Sequence, residues 1–278
     1  MQGDAPPNGP VAGALGSAEQ DRLPLALQRL WRGSVPTPPP GPDEVSRARR
    51  GRPALLGVED IVTAAVRLAD AAGVQAVTIA AVAADLGVSP MGLYRHVSSK
   101  QELLLLLQDE GAGDPPAVDL PSQQWREGLR RWALALREVH LRRPWLARLP
   151  VTGPPSGPRE VAWLEVALHA LRGTRLTPTE RLSTATLVSG YVRQSTLLQQ
   201  DLTASQAGGG DAGNAVGHWR YLPWLLDPSQ HPELLTILSA LATTEPHPPG
   251  TPAHDQAPTD DDFDYGLERI LDGIAAVA

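Results

Sequence analysis

Residues 78–104 read TIAAVAADLGVSPMGLYRHVSSKQELL, and this stretch decides the fold. Thr78 is a residue type that caps a helix, and Ile79, Val82, Ala83 and Leu86 follow at helical spacing, so a short helix runs from here until Gly87 stops it. Ser89 caps the next helix with Pro90 at its first position, where a missing N–H costs nothing. Leu93 and Val97, four apart, give that helix its buried face and leave Met91, Gly92, Arg95 and His96 outward, with Tyr94 at the boundary. Ser98 or Ser99 then caps a fourth segment, KQELLLLLQDE, whose five consecutive leucines call for burial on most sides.

Working outward, Val58, Ile61, Val62, Ala65, Leu68 and Ala69 form one apolar stripe closed by Gly73, which predicts a first helix over 58–72. Three short helices with a Leu-Gly-Val-Ser turn between the second and third have the pattern of a helix-turn-helix, although an ordinary helical hairpin turns the same way. Composition agrees with an all-α class, since Ala, Leu and Arg abound while isoleucine and aromatic residues are sparse.

Net charge is −7 over 278 residues, unevenly placed: from Asp201 onward 12 acidic residues face only Arg220 and Arg269, so the first 200 residues are net positive. Between Ser46 and Lys100 seven basic residues stand against four acidic ones. An acidic chain with a basic module at one end is the distribution expected when that end meets a polyanion. Cysteine is absent, which excludes disulfides, thiolate metal sites and cysteine nucleophiles. No leader-like apolar segment, HExxH pair, Gly-rich phosphate loop or nucleophile elbow is present, so the expectation is a soluble, cytoplasmic protein that is neither an enzyme nor dependent on a metal or cofactor.

The quoted stretch resembles the DNA-binding signature of the TetR family of bacterial transcriptional regulators, a likeness that runs over about 50 residues from Val58 and rests on the capped turn, Leu-Tyr-x-His and the trailing lysine. The resemblance implies that the segment Pro90–Val97 lies in the major groove, that Thr78, Tyr94 and Lys100 contact phosphates, and that His96 faces the groove. Ser89, Pro90, Met91 and Gly92 sit at the groove end of the segment. Pro90 and Met91 can touch thymine methyls, and Arg95 alone can pair bidentately with guanine. Ile79, Ala80 and Ala81 offer no long polar side chain to add base contacts. The arm RARRGRP, through Arg49, Arg50 and Arg52, is expected to enter the minor groove or to lie along phosphates, the alternative being a solvated basic linker.

Three parts follow: a Pro/Gly-rich tail over 1–45, a helix-turn-helix domain over 46–110 and a larger helical effector-binding and dimerisation domain over 115–278. Within the tail, Leu23, Leu27, Leu30 and Trp31 fall at helical spacing near 18–32, either as an amphipathic helix that docks on something or as a transient helix. In the large domain, long apolar patterns predict helices over about 120–142, 158–172, 178–200, 216–226, 230–243 and 261–277, with a capping box at Thr177 and Glu180. Its tryptophans suggest an aromatic cavity, and the resemblance implies an effector site there; Trp132, His140, Trp163, His169 and Tyr191 are the candidates. The resemblance also implies a four-helix dimer interface, assigned to Leu187, Tyr191, Phe263, Leu267, Ile270, Leu271 and Ile274; the alternative for the last helix is that it merely covers the core. A dimer suits the physics of reading a palindromic double-stranded operator. The expected function is a repressor released from DNA by a small molecule, without a membrane partner. An activator of the same family, and a helical ligand-binding or scaffolding protein with vestigial DNA contacts, are the alternatives.

Overall fold

The computed structural model describes residues 25–31, 56–117, 121–207, 221–243 and 260–278. Among them are twelve α-helices and no strand, so the chain is all-α. The arm with Arg49, Arg50 and Arg52 lies outside the described residues, as does Trp219. The molecule divides into two compact units, residues 1–114 with 151–162, and residues 115–150 with 163–278.

The first unit contains α1 (Leu25–Leu30), α2 (Val58–Ala72), α3 (Ile79–Asp85), α4 (Pro90–Tyr94) and α5 (Lys100–Ala112). The starts of α2 to α5 are each fixed by a local hydrogen bond. Asp60 accepts from the Gly57 N–H at 2.8 Å, Thr78 Oγ1 from the Ala81 N–H at 3.0 Å, Ser89 Oγ from the Gly92 N–H at 3.2 Å, and Ser99 Oγ from the Glu102 N–H at 3.1 Å. The apolar stripe of α2 meets α3, α4 and α5 in a core of Ile61, Ala65, Val77, Val82, Ala83, Leu93, Val97, Leu103 and Leu107, all fully buried. Leu104 and Leu105 are only half-buried, so the five-leucine run of α5 is inward on one side rather than all round. Arg67 pairs with Asp85 and ties α2 to α3.

The turn between α3 and α4 depends on Gly87. Its φ of +67° lets the Val88 N–H reach the Ala83 carbonyl at 2.9 Å and its own N–H reach Ala84 at 3.1 Å, closing the end of α3. An L side chain here costs about 1–2 kcal/mol, so Gly87→Ala is expected to lower the stability of this unit by that amount in a chemical melt, although no neighbour lies within 4 Å of a Cβ. A melt unchanged by the substitution would contradict the turn.

Residues 151–162, assigned to the large domain by the sequence reading, pack with the first unit because Asp109 reaches them. This buried carboxylate accepts from the Arg159 and Glu160 N–H groups at 2.9 and 3.1 Å and so caps the first turn of α8 (Pro158–Ala170) from outside that helix. Burial raises the pKa of Asp109 against those hydrogen bonds. A side chain at Gly157 would overlap the Asp109 carboxylate, so glycine is required by the close approach.

The second unit holds α6 (Trp125–Arg142), α7 (Pro144–Arg148), the rest of α8, α9 (Pro178–Ala207), α10 (Leu222–Leu225), α11 (Pro232–Thr243) and α12 (Asp260–Ala275). Its centre is α6 against α9, with Leu129, Ala133, Val188 and Val192 fully buried. The Thr177–Glu180 capping box forms as expected, with the Thr177 N–H to Glu180 at 2.7 Å and the Glu180 N–H to Thr177 at 3.3 Å. Much of the acidic charge near the C-terminus is spent internally. Asp260, Asp264, Glu268 and Asp272 lie four apart along α12 and meet Arg137, Arg130 and Arg126 of α6 at 2.5–3.4 Å.

Candidate nucleic-acid interface and effector site

The recognition segment is shorter than its sequence pattern. Helix α4 ends at Tyr94, and Arg95 to Val97 continue as a turn in which the His96 and Val97 N–H groups both bond the Leu93 carbonyl, at 2.8 and 3.0 Å. Leu93 and Val97 are fully buried while the opposite side is open: Met91 is 72% and Tyr94 50% exposed, and Ser89, Pro90, Arg95 and Lys100 are exposed as well. Gly92 and His96 are half-buried, so the imidazole points outward less than its spacing predicts. Thr78 is also half-buried, and because its oxygen already accepts from Ala81, only its hydroxyl hydrogen is left to meet a phosphate. Ser89 is in the same position. Ala80 and Ala84 are exposed on α3 and offer no polar reach. The structure therefore brings every described residue of the expected DNA set onto one unit around α4.

The joint after this segment carries a contact that spacing alone does not reveal. Glu102 is buried, and one of its oxygens accepts from the Ser98 N–H at 2.7 Å and from the Ser98 hydroxyl. Its other oxygen pairs with Arg29 of α1 at 2.6 Å. Burial pushes the Glu102 pKa upward, but the Ser98 and Arg29 hydrogen bonds outweigh it and hold the carboxyl below its usual value.

In the second unit the expected effector residues separate. Trp132 and Trp163 are buried together, the Trp132 indole donating to the Trp163 carbonyl at 2.8 Å. His140 Nδ1 and Gln200 Oε1 are buried without a hydrogen-bond partner, while Gln200 Nε2 donates to the His140 carbonyl at 3.2 Å. His169 is a correction: it is exposed at the end of α8, on the outer side of its helix, and does not belong to an interior site. Trp224 is exposed too. Tyr191 is half-buried and serves packing instead, stacked on Phe263 at 5.4 Å with its hydroxyl donating to the Phe263 carbonyl at 2.9 Å.

His140 gives a pH prediction. Burial first, and the nearby Arg193 charge second, depress its pKa to about 4 from 6.5. The unfolded chain therefore binds the extra proton first as pH falls. Stability is full above pH 6.5 and declines toward pH 4, by on the order of 3 kcal/mol for the whole shift. Urea melts of the wild type and His140→Gln should diverge below pH 6.5, with the wild type losing more; parallel curves would contradict a neutral buried imidazole.

The dimer assignment also needs correction on α12. Phe263, Leu267, Leu271 and Ile274 are buried in the chain's own core and Ile270 is half-buried, because the nearest apolar surface for this stripe is α6 and α9 of the same chain. Leu187 is 55% exposed as an interface residue must be, and Ser183, Gly190, Gln194 and Leu198 continue its row along α9. On α12 Tyr265, Arg269 and Gly273 form an exposed row that Val277 continues just beyond the helix end.

Comparison with known proteins identifies the family of both parts of the chain. The description "Bacterial regulatory proteins, tetR family" matches residues 61–107, and "Tetracyclin repressor-like, C-terminal domain" matches residues 116–278. The chain belongs to the TetR family of bacterial regulators. The transcriptional repressor DrrR1 of Streptomyces coeruleorubidus is 31% identical over 95% of this chain and 89% of its own. A transcriptional repressor of Mycobacterium tuberculosis is 27% identical, covering 83% and 84% respectively. Among solved structures, the TetR family protein ActR of Streptomyces coelicolor, in complex with actinorhodin, superposes with a TM-score of 0.66 at 25% identity over 81% of this chain and 98% of that one. As a TetR-family member the chain is a DNA-binding transcriptional regulator, and among the described residues no helix is long and apolar enough to cross a membrane.

Proposed function

We propose that this chain is a homodimeric repressor that binds a palindromic operator through two copies of α4 and releases it when a small molecule occupies the second unit. The observation that carries the reading is the outward row of Met91, Tyr94, Arg95 and Lys100 on a segment whose other side, Leu93 and Val97, is fully buried. Among the described residues no contact of the first unit uses those four exposed side chains, whereas a duplex uses all of them: two donors at the rim for phosphates, an arginine for a base edge and a methionine for a methyl group. The Arg49, Arg50 and Arg52 arm adds phosphate or minor-groove contacts in this reading.

Relatives named as repressors support the direction of regulation. ActR, which binds actinorhodin, supports a small-molecule effector. Within this chain Trp132 and Trp163 are aromatic, and His140 Nδ1 and Gln200 Oε1 are buried without hydrogen-bond partners, so an effector with an aromatic body and a hydrogen-bonding edge would match the chemistry of these groups. The dimer is formed by the outward rows of α9 and α12, centred on Leu187 and Gly190.

DNA fragments selected from a genomic library by the full-length protein provide the operator. Titration of the complex with aromatic compounds should quench tryptophan fluorescence and release the DNA at the same concentration, with coupling of about 1–3 kcal/mol. Compounds that quench without loosening DNA, or no selected fragment at all, would contradict the proposal.

A further inference from the structure

We propose that Arg29 is a positioning residue for the DNA contacts: from a helix outside the helix-turn-helix, it holds the joint that sets Tyr94 and Lys100 in place. The inference rests on the DNA-binding reading above and extends it to a part of the chain that no DNA-binding motif includes.

Tyr94 is the last residue of α4 and Lys100 the first of α5. Their relative placement is set by the five residues between them, of which Val97 is fully buried while Arg95, Ser98 and Ser99 are exposed. The His96 and Val97 N–H bonds to Leu93 and the burial of Val97 fix the first half of this joint, so the exposed second half, Ser98 and Ser99, is what needs a grip. The grip is Glu102: one carboxylate oxygen takes the Ser98 N–H and hydroxyl, and the Glu102 N–H is taken by Ser99 Oγ. That carboxylate is only 3% exposed and would be costly to bury as an anion without a cation. Arg29, 13% exposed, supplies the cation to the other oxygen at 2.6 Å. Arg29 is itself fixed, because Leu30 beside it is buried and the Trp31 indole donates to the Ser156 carbonyl at 2.8 Å. The chain of contacts thus runs from α1 through Arg29 and Glu102 to Ser98, and so to the two phosphate-facing side chains on either side of the joint.

Two other roles for Arg29 make different predictions. An arginine that contacts DNA directly, or one that only stabilises the unit, acts independently of Lys100. A positioning residue does not: Tyr94 is already held by α4, so the joint serves to place Lys100 relative to it, and once the lysine is gone there is little left to position.

The experiment uses the full-length protein and the selected operator fragment, measured by anisotropy over a range of salt concentrations. Arg29→Ala is expected to weaken binding about tenfold and to flatten the salt slope by about one ion, as if one phosphate contact were lost. In a Lys100→Ala background the same substitution should change affinity less than about twofold. Arg29→Lys, which restores a cation to Glu102, should recover most of the loss. Ser98→Ala leaves the Arg29–Glu102 pair intact, so it tests the same joint in a protein that keeps that buried ion pair; it should weaken binding about threefold, again with little effect when Lys100 is absent. Equal effects of Arg29→Ala or Ser98→Ala with and without Lys100, or an unchanged salt slope, would overturn the inference. Failure of the wild type to bind any fragment, or indifference to Lys100→Ala alone, would instead strike the DNA-binding reading.

Discussion

A Leu187→Glu, Gly190→Glu variant is expected to sediment as a monomer and to bind the operator at least about a hundredfold more weakly than the wild type, because half of a palindrome then lacks its reader. Leu187 is more than half exposed, no atom lies within 4 Å of a Cβ built at Gly190, and Leu198 is 49% exposed farther along the same row. Carboxylates there disturb no intrachain contact and leave the monomer folded, with an unchanged melt at low protein concentration. Against a second copy of α9 they place like charges across a two-fold axis, where each faces its own symmetry mate. Leu267→Glu is the control. That side chain is fully buried inside the chain, so it should unfold the second unit instead of cleanly separating two folded subunits. If the Leu187 and Gly190 variant stayed dimeric, the interface would lie elsewhere.

The contrast between these two leucines shows where sequence reading stops. Periodicity finds the apolar stripe of α12 without difficulty, since Phe263, Leu267, Leu271 and Ile274 recur at helical spacing. It does not reveal whether the surface that covers the stripe belongs to the same chain or to another, because burial against either has the same hydrophobic driving force. Along α9, Ser183, Gly190 and Gln194 are too small or too polar to register as apolar, so its outward row escapes a search for hydrophobic faces.

At the DNA end the situation reverses. Caps, turn glycine and buried Leu93 and Val97 are all local, so Thr78, Gly87, Ser89 and the outward Met91 and Arg95 can be placed from spacing alone, whereas Tyr94, expected at the boundary, is exposed and Gly92, expected outward, is half-buried. His96 is less exposed than its spacing predicts because α4 stops at Tyr94 and the next three residues turn back toward the core. The Arg29–Glu102 pair spans 73 residues, and the Asp109 cap on α8 spans 50; no pattern in the chain announces either. The α6–α12 charge ladder is intermediate. Its four acids at intervals of four are visible in the sequence, as are Arg126, Arg130 and Arg137, but pairing the two rows needs the fold.

Arg95→Ala is expected to lower operator affinity by about 10–100-fold while leaving binding to unrelated DNA nearly unchanged, and this separation tests whether Arg95 reads a base. Arg95 is exposed at the C-terminal end of α4 and pairs with no carboxylate among the described residues, so its loss removes no internal contact. An arginine on a guanine edge contributes about 1–3 kcal/mol that exists only on the right sequence. The Tyr94→Phe, Lys100→Ala variant should behave in the opposite way, weakening binding to operator and unrelated DNA alike and flattening the salt dependence, because phosphates are the same everywhere. With few other side chains able to read bases, and with Ala80 and Ala84 exposed but unable to form hydrogen bonds through their side chains, one arginine in each subunit is expected to carry most of the sequence discrimination. Selection of DNA by the Arg95→Ala protein should therefore return sites relaxed at one symmetric pair of positions and unchanged elsewhere. Recovery of the wild-type consensus, with only a uniform loss of affinity, would make Arg95 a phosphate contact and leave Met91 as the residue to test.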